Sequence, residues 1–303
     1  MDTLSIQYVK TSDGVNIAYA KSGNGPPCIV VPPIPWTNLE VELNDPGYRS
    51  WFEIISRNHS LVLYDSRGSG LSDRDANRLD PEDFCIDIDA ITARLGFERF
   101  AILGTAVGGQ IAIVYAASRP ERVSRLVLWN SAAHSSEIVS AAAAGLAEMA
   151  RVDWDMFTET VAHAQVAGWG SSEEARSIAT MMRASIEHDS YLLGFGVVSP
   201  VDVTPYLLQV ACPTLVIQRR EIQKPNLEAA RKLAAQIPAA ELMIEPGASM
   251  LPWVGDMDAT VRHIERFLGV KVDVSTMDGA PAIPSGTAII LFAEMTCRVP
   301  QWR

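Results

Sequence analysis

The stretch Phe100-Ala101-Ile102-Leu103-Gly104-Thr105-Ala106-Val107-Gly108-Gly109 decides how this chain folds. Its first four residues form a short continuous apolar run, the mark of a strand buried on both faces. They lead into Gly104-Thr105-Ala106-Val107-Gly108-Gly109, and a helical pattern over Val107–Ser118 follows until Arg119-Pro120 closes it. Glycines at this spacing let the backbone turn sharply and let strand and helix pack closely. The central side chain, Ala106, is lifted onto the turn.

The same alternation continues on both sides. Ser5–Thr11 and Val15–Ser22 read as strands around an Asp13-Gly14 turn. Cys28–Val31, Leu61–Tyr64, Leu126–Trp129 and Thr214–Ile217 repeat the buried-strand pattern, with Leu242–Ile244 as a weaker last member. Pro81–Leu95, Asn226–Ile237 and Asp256–Leu268 read as helices. The second puts Leu227, Ala230, Leu233, Ala234 and Ile237 on one face, and the third opens at a capping Asp256 and stops before Gly269. Strands alternating with helices make an α/β fold: a mostly parallel sheet covered by helices on both faces.

One long stretch breaks the alternation. Ser135 to Leu208 is helical in pattern with no strand of sheet quality. Residues 135–208 are therefore expected to form a helical cap inserted in a core made of 1–134 and 209–269. The cap would lie over the C-terminal edge of the sheet, where open α/β sheets bind ligands. Trp154, Met156, Phe157, Trp169, Met181, Met182, Tyr191 and Phe195 are its large apolar side chains, most of them cap core and some lining a pocket. Residues 270–303 read as a linker, Asp273–Gly286 with its prolines and glycines, and an apolar strand-like run, Thr287–Ala293.

Composition narrows the function. The chain has 303 residues, 48% apolar and 20% charged, enough to build a full core in one large α/β domain with a cap. A net charge of −11 argues against nucleic acid as a partner, because a basic patch does that work. Met1–Lys10 does not read as a signal peptide, and no run of about 20 apolar residues is present to span a membrane. A cytoplasmic protein is expected. Cys28, Cys85, Cys212 and Cys297 stand singly, as buried free thiols do and zinc ligands do not. No glycine-rich phosphate loop occurs. Neither a cofactor nor a metal is expected.

Strand, turn and helix around Ala106 resemble the nucleophile elbow, Gly-x-Ser-x-Gly, of the α/β-hydrolase superfamily. Other stretches between Ser5 and Leu268 support the resemblance. Tyr64-Asp65-Ser66-Arg67-Gly68-Ser69-Gly70-Leu71-Ser72-Asp73 is similar to the family's loop after its fourth strand. Arg119-Pro120-Glu121-Arg122-Val123 and Pro213-Thr214-Leu215-Val216-Ile217 resemble the entries to its sixth and seventh. The resemblance implies a triad in the order nucleophile, acid, histidine. Here those positions hold Ala106, Glu221 (in Gln218-Arg219-Arg220-Glu221) and Met250 (after Gly247-Ala248-Ser249). A methyl group cannot attack a carbonyl, and a thioether is no base at neutral pH. Glutamate can orient a histidine, but none stands at 250. The family's His-Gly after the third strand is replaced by Pro32-Pro33-Ile34-Pro35. Prolines have no N–H for an oxyanion, although Ile34 and Trp36 keep theirs.

A narrower resemblance rests on Trp36-Thr37-Asn38-Leu39-Glu40, Asp45-Pro46, Trp51 and the 63–73 stretch. These are similar to a bacterial subgroup in which a hydrolase-fold domain with an eroded triad precedes a class III adenylate or guanylate cyclase domain, or accompanies a helix-turn-helix regulator. Gly286–Met295 resembles the first strand of such a cyclase domain, with Glu294 in the place of its metal-binding aspartate; Thr296–Arg303 departs from it. The apolar run reads equally as a C-terminal strand packing on the body. Left unpaired it would be an aggregation-prone edge, so it docks, pairs with a second copy in a homodimer, or stays a loose remnant.

Two functions follow. One is a pseudohydrolase that binds a small apolar or acyl-like ligand or serves regulation. The other is a serine-type ester or lactone hydrolase, if Ala106 replaces a native serine or if a displaced His134 or His188 serves as base. The expected pocket is lined by Pro33, Ile34, Ala106, Val107, Trp129, Ser131, His134, Ser249, Met250 and Leu251, gathered at one sheet edge. His263 is expected to be solvated on the last helix, and Asp65 and Asp73 to hold their loop together.

Overall fold

A computed structural model describes residues 5–75, 78–138, 142–167, 172–192 and 201–270. Eight strands form one sheet: β1 (Gln7–Lys10), β2 (Asn16–Ser22), β3 (Pro27–Val31), β4 (Ser60–Tyr64), β5 (Phe100–Thr105), β6 (Val123–Trp129), β7 (Thr214–Arg219) and β8 (Ala240–Glu245). Their order is β1-β2-β4-β3-β5-β6-β7-β8. β1 pairs with β2, and β2 with β4, antiparallel; every later pairing is parallel. The sheet is the doubly covered α/β sheet that the alternation predicts. Successive strand residues enter opposite cores. Ile102, Leu126, Leu128 and Val216 pack on one face, and Leu103, Val127, Trp129 and Ile217 on the other.

The helices in chain order are α1 (Leu39–Asn44), α2 (Pro46–Ser56), α3 (Pro81–Leu95), α4 (Val107–Ser118), α5 (Ser135–Ile138), α6 (Ala142–Val152), α7 (Trp154–Val161), α8 (Ser172–Ser185), α9 (His188–Ser190), α10 (Thr204–Leu207), α11 (Leu227–Gln236) and α12 (Met257–Leu268), with a π-helical turn over Ala162–Ala167. Their ends follow local chemistry. Asp256 accepts the Ala259 N–H at 2.9 Å to open α12, and Gly269 closes it at φ 88°. The α1–α2 pair was not among the helical patterns of the sequence. Asn38 accepts the N–H groups of Glu40 and Val41, and one residue after α1 ends, Asp45 accepts those of Gly47 and Tyr48 with Pro46 in the first turn. α1 is only six residues long and leaves little periodicity to read, whereas α2, 11 residues with Trp51, Phe52 and Ile55 buried on one side, carries a helical period that went unread.

The described part of 135–208 is helical apart from one isolated bridge, His134 to Asp202. Its α8 is fastened to the sheet's loops. The Gly70 N–H donates to the Ser185 carbonyl at 2.7 Å, and Asn38 Nδ2 and Arg74 Nη2 donate to that of Ala184 at 3.0 and 2.9 Å. Asp65 organises the loop after β4, accepting from Thr37 Oγ1 and from the Leu39 and Leu71 N–H groups. No helix among the described residues is long and apolar enough to cross a membrane. The linker and apolar run at 273–293, with Trp169, Phe195, Glu294 and Cys297, lie outside the described residues.

Candidate functional site

The turn from β5 into α4 holds Ala106 at φ 50°, ψ −118°, a region L-residues rarely occupy. Neighbours fix it there. The Ala106 N–H donates to the Trp129 carbonyl at 3.0 Å, and Ser131 Oγ donates to the Ala106 carbonyl at 2.8 Å. The flanking glycines permit the approach. A Cβ on Gly108 would stand 2.1 Å from the Pro32 carbonyl oxygen, and one on Gly104 would stand 2.7 Å from the Gly109 α-carbon. The strained elbow is therefore complete in backbone terms, with a methyl group at its tip.

Across from it lies the loop after β8. Met250 is pinned by its backbone: its N–H donates to the Val166 carbonyl at 2.8 Å, and its carbonyl accepts from Trp129 Nε1 at 2.6 Å. Its side chain packs in one apolar cluster with Ala106, Val107, Ala132, Ile138 and Ala229. Ala106 and Met250 are thus brought together by the fold in apolar surroundings. Glu221 is exposed; its carboxylate accepts the Gly247 N–H at 2.5 Å, and its own N–H donates to the Gly247 carbonyl at 3.2 Å. It ties two loops together. On the opposite wall, the Trp36 N–H is committed to the Pro33 carbonyl at 2.8 Å, so it does not face the elbow as an oxyanion donor.

The other expected pocket residues do not share a single apolar cluster. Ile34 packs in the core with α3 and α4, and Trp129, one strand position from Leu128, enters the core on the opposite face of the sheet. Leu251 belongs to the helical cluster of Phe157, Ile178 and Met182. Pro33 is half-buried. The hydroxyls of Ser131 and Ser249 are buried and donate to the carbonyls of Ala106 and Val166. His134 is exposed, with Nε2 3.5 Å from Asp202 and 3.3 Å from Thr204 Oγ1. His188 lies 5.5 Å from the Trp154 ring. His263 is half-buried with Nδ1 3.4 Å from Glu245, not freely solvated as the sequence suggests, because the Glu245 carboxylate at the end of β8 meets both His263 and Thr260 of α12.

Three features went unread in the sequence. Arg219 is the last residue of β7, two positions after its apolar run, is 2% exposed, and donates to the carbonyls of Ser249 and Pro252 at 3.1 and 3.4 Å. Its guanidinium carbon stands 5.1 Å from the Trp129 ring centroid, and burial pulls its pKa down. Asn130 is buried at φ 45° beside it. Trp36 stacks on Tyr191 at 5.2 Å and meets Trp154 at 6.3 Å, joining the loop after β3 to the cap-region helices. An arginine two positions after a continuous apolar run, with Gln218 between, was the one available signal. No group of three or more His, Cys, Asp or Glu suited to a metal stands among the described residues.

Comparison with known proteins places this geometry. A family model described as "alpha/beta hydrolase fold" matches residues 44–167. The chain is 26% identical over 234 residues to a Rhizobium rhizogenes protein named "Putative carbamate hydrolase RutD", covering 73% of this chain and 87% of that protein. A hydrolase from Pseudomonas aeruginosa PA01 superimposes with a TM-score of 0.73 at 22% identity, over 88% of this chain and 98% of the other. The enol-lactonase from Burkholderia xenovorans LB400 gives 0.71 at 20% identity, over 86% and 99%. The chain has the α/β-hydrolase fold, and the family model and its relatives support its place in the α/β-hydrolase superfamily.

Proposed function

We propose that this chain is a pseudohydrolase: a non-catalytic α/β-hydrolase-fold protein that binds a small apolar or acyl-like molecule, related to the cyclase-linked sensors whose sequences it resembles. The packing of Ala106 and Met250 in one apolar cluster carries this reading. A methyl group has no lone pair to attack with, and a thioether takes no proton at neutral pH. Glu221, held on the Gly247 N–H, has no imidazole at 250 to orient. In a serine protease, loss of the nucleophile alone lowers turnover by on the order of 10⁶. Short-chain nitrophenyl esters should be hydrolysed no faster than by a surface-matched control protein. Turnover with a burst of covalent acyl-enzyme would overturn the proposal. Acyl and lactone compounds that bind the native state should raise the melting temperature by mass action.

The elbow itself favours a second reading. Ala106 keeps the strained φ of 50° that a nucleophile would need. On this reading the protein is an ester or lactone hydrolase whose position 106 is natively serine, or whose base is a displaced His134 or His188. Relatives named as a carbamate hydrolase and an enol-lactonase make acyl substrates the natural class. The residue encoded at position 106 in the native gene separates the two.

A further inference from the structure

Two helix caps hold α8 on α1. Asn38, which opens α1, donates from Nδ2 to the Ala184 carbonyl at 3.0 Å. Asp45, which opens α2, accepts from Ser177 Oγ at 2.5 Å. On both sides the ties lie two helical turns apart, and they come in opposite order, so α1 and α8 run antiparallel between them. Glu42 stands four positions after Asn38 and three before Asp45, the spacing of a single helix face. Ser177, Met181 and Ala184 are spaced in the same way on α8. Glu42 therefore lies beneath α8 between the ties, and it is 6% exposed. Met181, 3% exposed, packs in one cluster with Trp36, Val41 and Tyr48.

The groups around Glu42 supply no counter-charge. Asp65 faces it from the loop after β4, and Asp45 and the Tyr48 phenol from α2. Burial, then the charge of Asp65, push the Glu42 carboxyl up to about 8 against the pull of the Asn38 backbone N–H, and Asp45 adds to the rise. The nearby cations are engaged elsewhere. Arg74 holds the Gly70 and Ala184 carbonyls, Arg49 pairs with Glu53, Arg183 binds Thr158 and Glu159 of α7, and Arg176 binds the Ser172 carbonyl. Glu173 and Glu174, in the first turn of α8, bring only negative charge. Among the described residues no cation forms an ion pair with Glu42.

Ionising Glu42 by lifting its cover disturbs fewer contacts than unfolding the sheet. We propose that Glu42 is a proton-dependent catch for α8: with its proton on, α8 lies on α1, and with its proton off, α8 lifts in a local opening that leaves the sheet folded. The sign follows from linkage. Lifted, the carboxyl meets water and titrates near its usual 4.5; covered, it holds its proton up to about 8. Between those values each unit of pH makes lifting about tenfold easier, and outside them pH has no further effect through this group. Lifting parts the apolar cluster that Ile178, Met181 and Met182 of α8 share with Trp36, Tyr191 and Leu251, the residue after Met250. The catch thus bears on the cover of the candidate site, and the inference stands whether or not the protein hydrolyses anything.

The test is native-state hydrogen exchange of the full chain beside Glu42→Gln at pH 5, 6.5 and 8, read in α8 and in β5 and β6. Comparing the two proteins at one pH removes the chemical effect of pH on exchange. Amides of α8 are expected to exchange faster than those of β5 and β6 in both proteins, the mark of a local opening. At pH 5 parent and variant should differ little in α8; by pH 8 the parent's α8 should exchange about 100-fold faster or more. Ser177→Ala removes one tie and no charge, and it should speed α8 exchange by a similar factor at all three pH values. If α8 exchanges only as slowly as β5 and β6, Glu42 acts through global unfolding and the catch is overturned. Local opening of α8 at equal rates in parent and Glu42→Gln at pH 8 overturns it as well, and an α8 unchanged by Ser177→Ala overturns the assignment of the ties.

Discussion

Glu42 gives the sharpest quantitative expectation. It lies in α1, just beyond the loop that faces the elbow, and is 6% exposed. Burial, reinforced by the charges of Asp65 and Asp45, pushes its carboxyl up from 4.5 to about 8. Tyr48, whose phenol is held well above its usual value by burial and by Glu42 itself, offers no positive charge in return. A folded-state pKa raised above the unfolded value means that the native state favours the proton. The stabilising contribution is complete below about pH 4.5 and is lost progressively as pH rises through about 8. A tenfold change in proton affinity is worth about 1.36 kcal/mol, which sets a ceiling of about 4–5 kcal/mol. Glu42→Gln copies the protonated side chain in shape. At pH 4.5 the variant should unfold in urea within about 1 kcal/mol of the parent, since both side chains are then neutral in the folded protein. By pH 9 it should be more stable by several kcal/mol, because it has no charge to bury. All other titrating groups are shared, so the difference between the two stability–pH curves isolates this carboxyl. Parallel curves between pH 5 and 9, or a variant weaker than the parent at pH 9, would show that Glu42 ionises without penalty.

Three further outcomes are expected. Gly108→Ala should cost about 3 kcal/mol or more in chemical denaturation, because its Cβ would meet the Pro32 and Val31 carbonyl oxygens at 2.1 and 2.6 Å; a change below about 1 kcal/mol would mean the elbow yields easily. His59 is buried and its pKa is lowered from 6.5, chiefly by desolvation, so its contribution is present above pH 6.5 and is lost as pH falls below it. His59→Gln should flatten the acid limb of the stability curve, and an unchanged limb would assign that limb to other groups. Ala106→Ser alone should restore no useful esterase activity, because the side chain packed beside it at 250 is a thioether; activity from that one change would mark His134 or His188 as a displaced base.

The sheet was legible because its strands are buried on both faces. Cys28–Val31 and Thr214–Ile217 are continuous apolar runs in the sequence, and β3 and β7 extend them by only a residue or two. Gly104, Ala106 and Gly108 were legible for a related reason: only a sharp strand-to-helix turn needs that spacing, and Ala106 does sit at positive φ. The pocket was less legible. Knowing that Trp129 ends a strand does not say what its indole meets: it packs in the core on the opposite face from Leu128, yet its Nε1 reaches the Met250 carbonyl at 2.6 Å. His134 follows the same strand but is drawn to Asp202, 68 positions further on in the chain, by a bridge no local pattern announces. Arg219 was invisible as a buried group because its partners are backbone carbonyls, which carry no residue signature.

The elbow and the triad side chains answer to different forces, which explains how one persists without the other. The strain at Ala106 is imposed by the Trp129 carbonyl, the Ser131 hydroxyl and the contact of Gly108 with the 31–32 backbone. None of these involves the side chain at 106. A serine and a histidine at 106 and 250 would place a hydroxyl and an imidazole among Val107, Ala132, Ile138 and Ala229, where each polar atom needs a partner. Alanine and methionine remove that demand and add apolar contact, at about 0.8 kcal/mol per buried methylene. Exchanging the triad for these residues therefore stabilises the cluster while leaving the backbone turn in place. Under the proposed pseudohydrolase reading, exchange in this direction carries no stability cost for the scaffold.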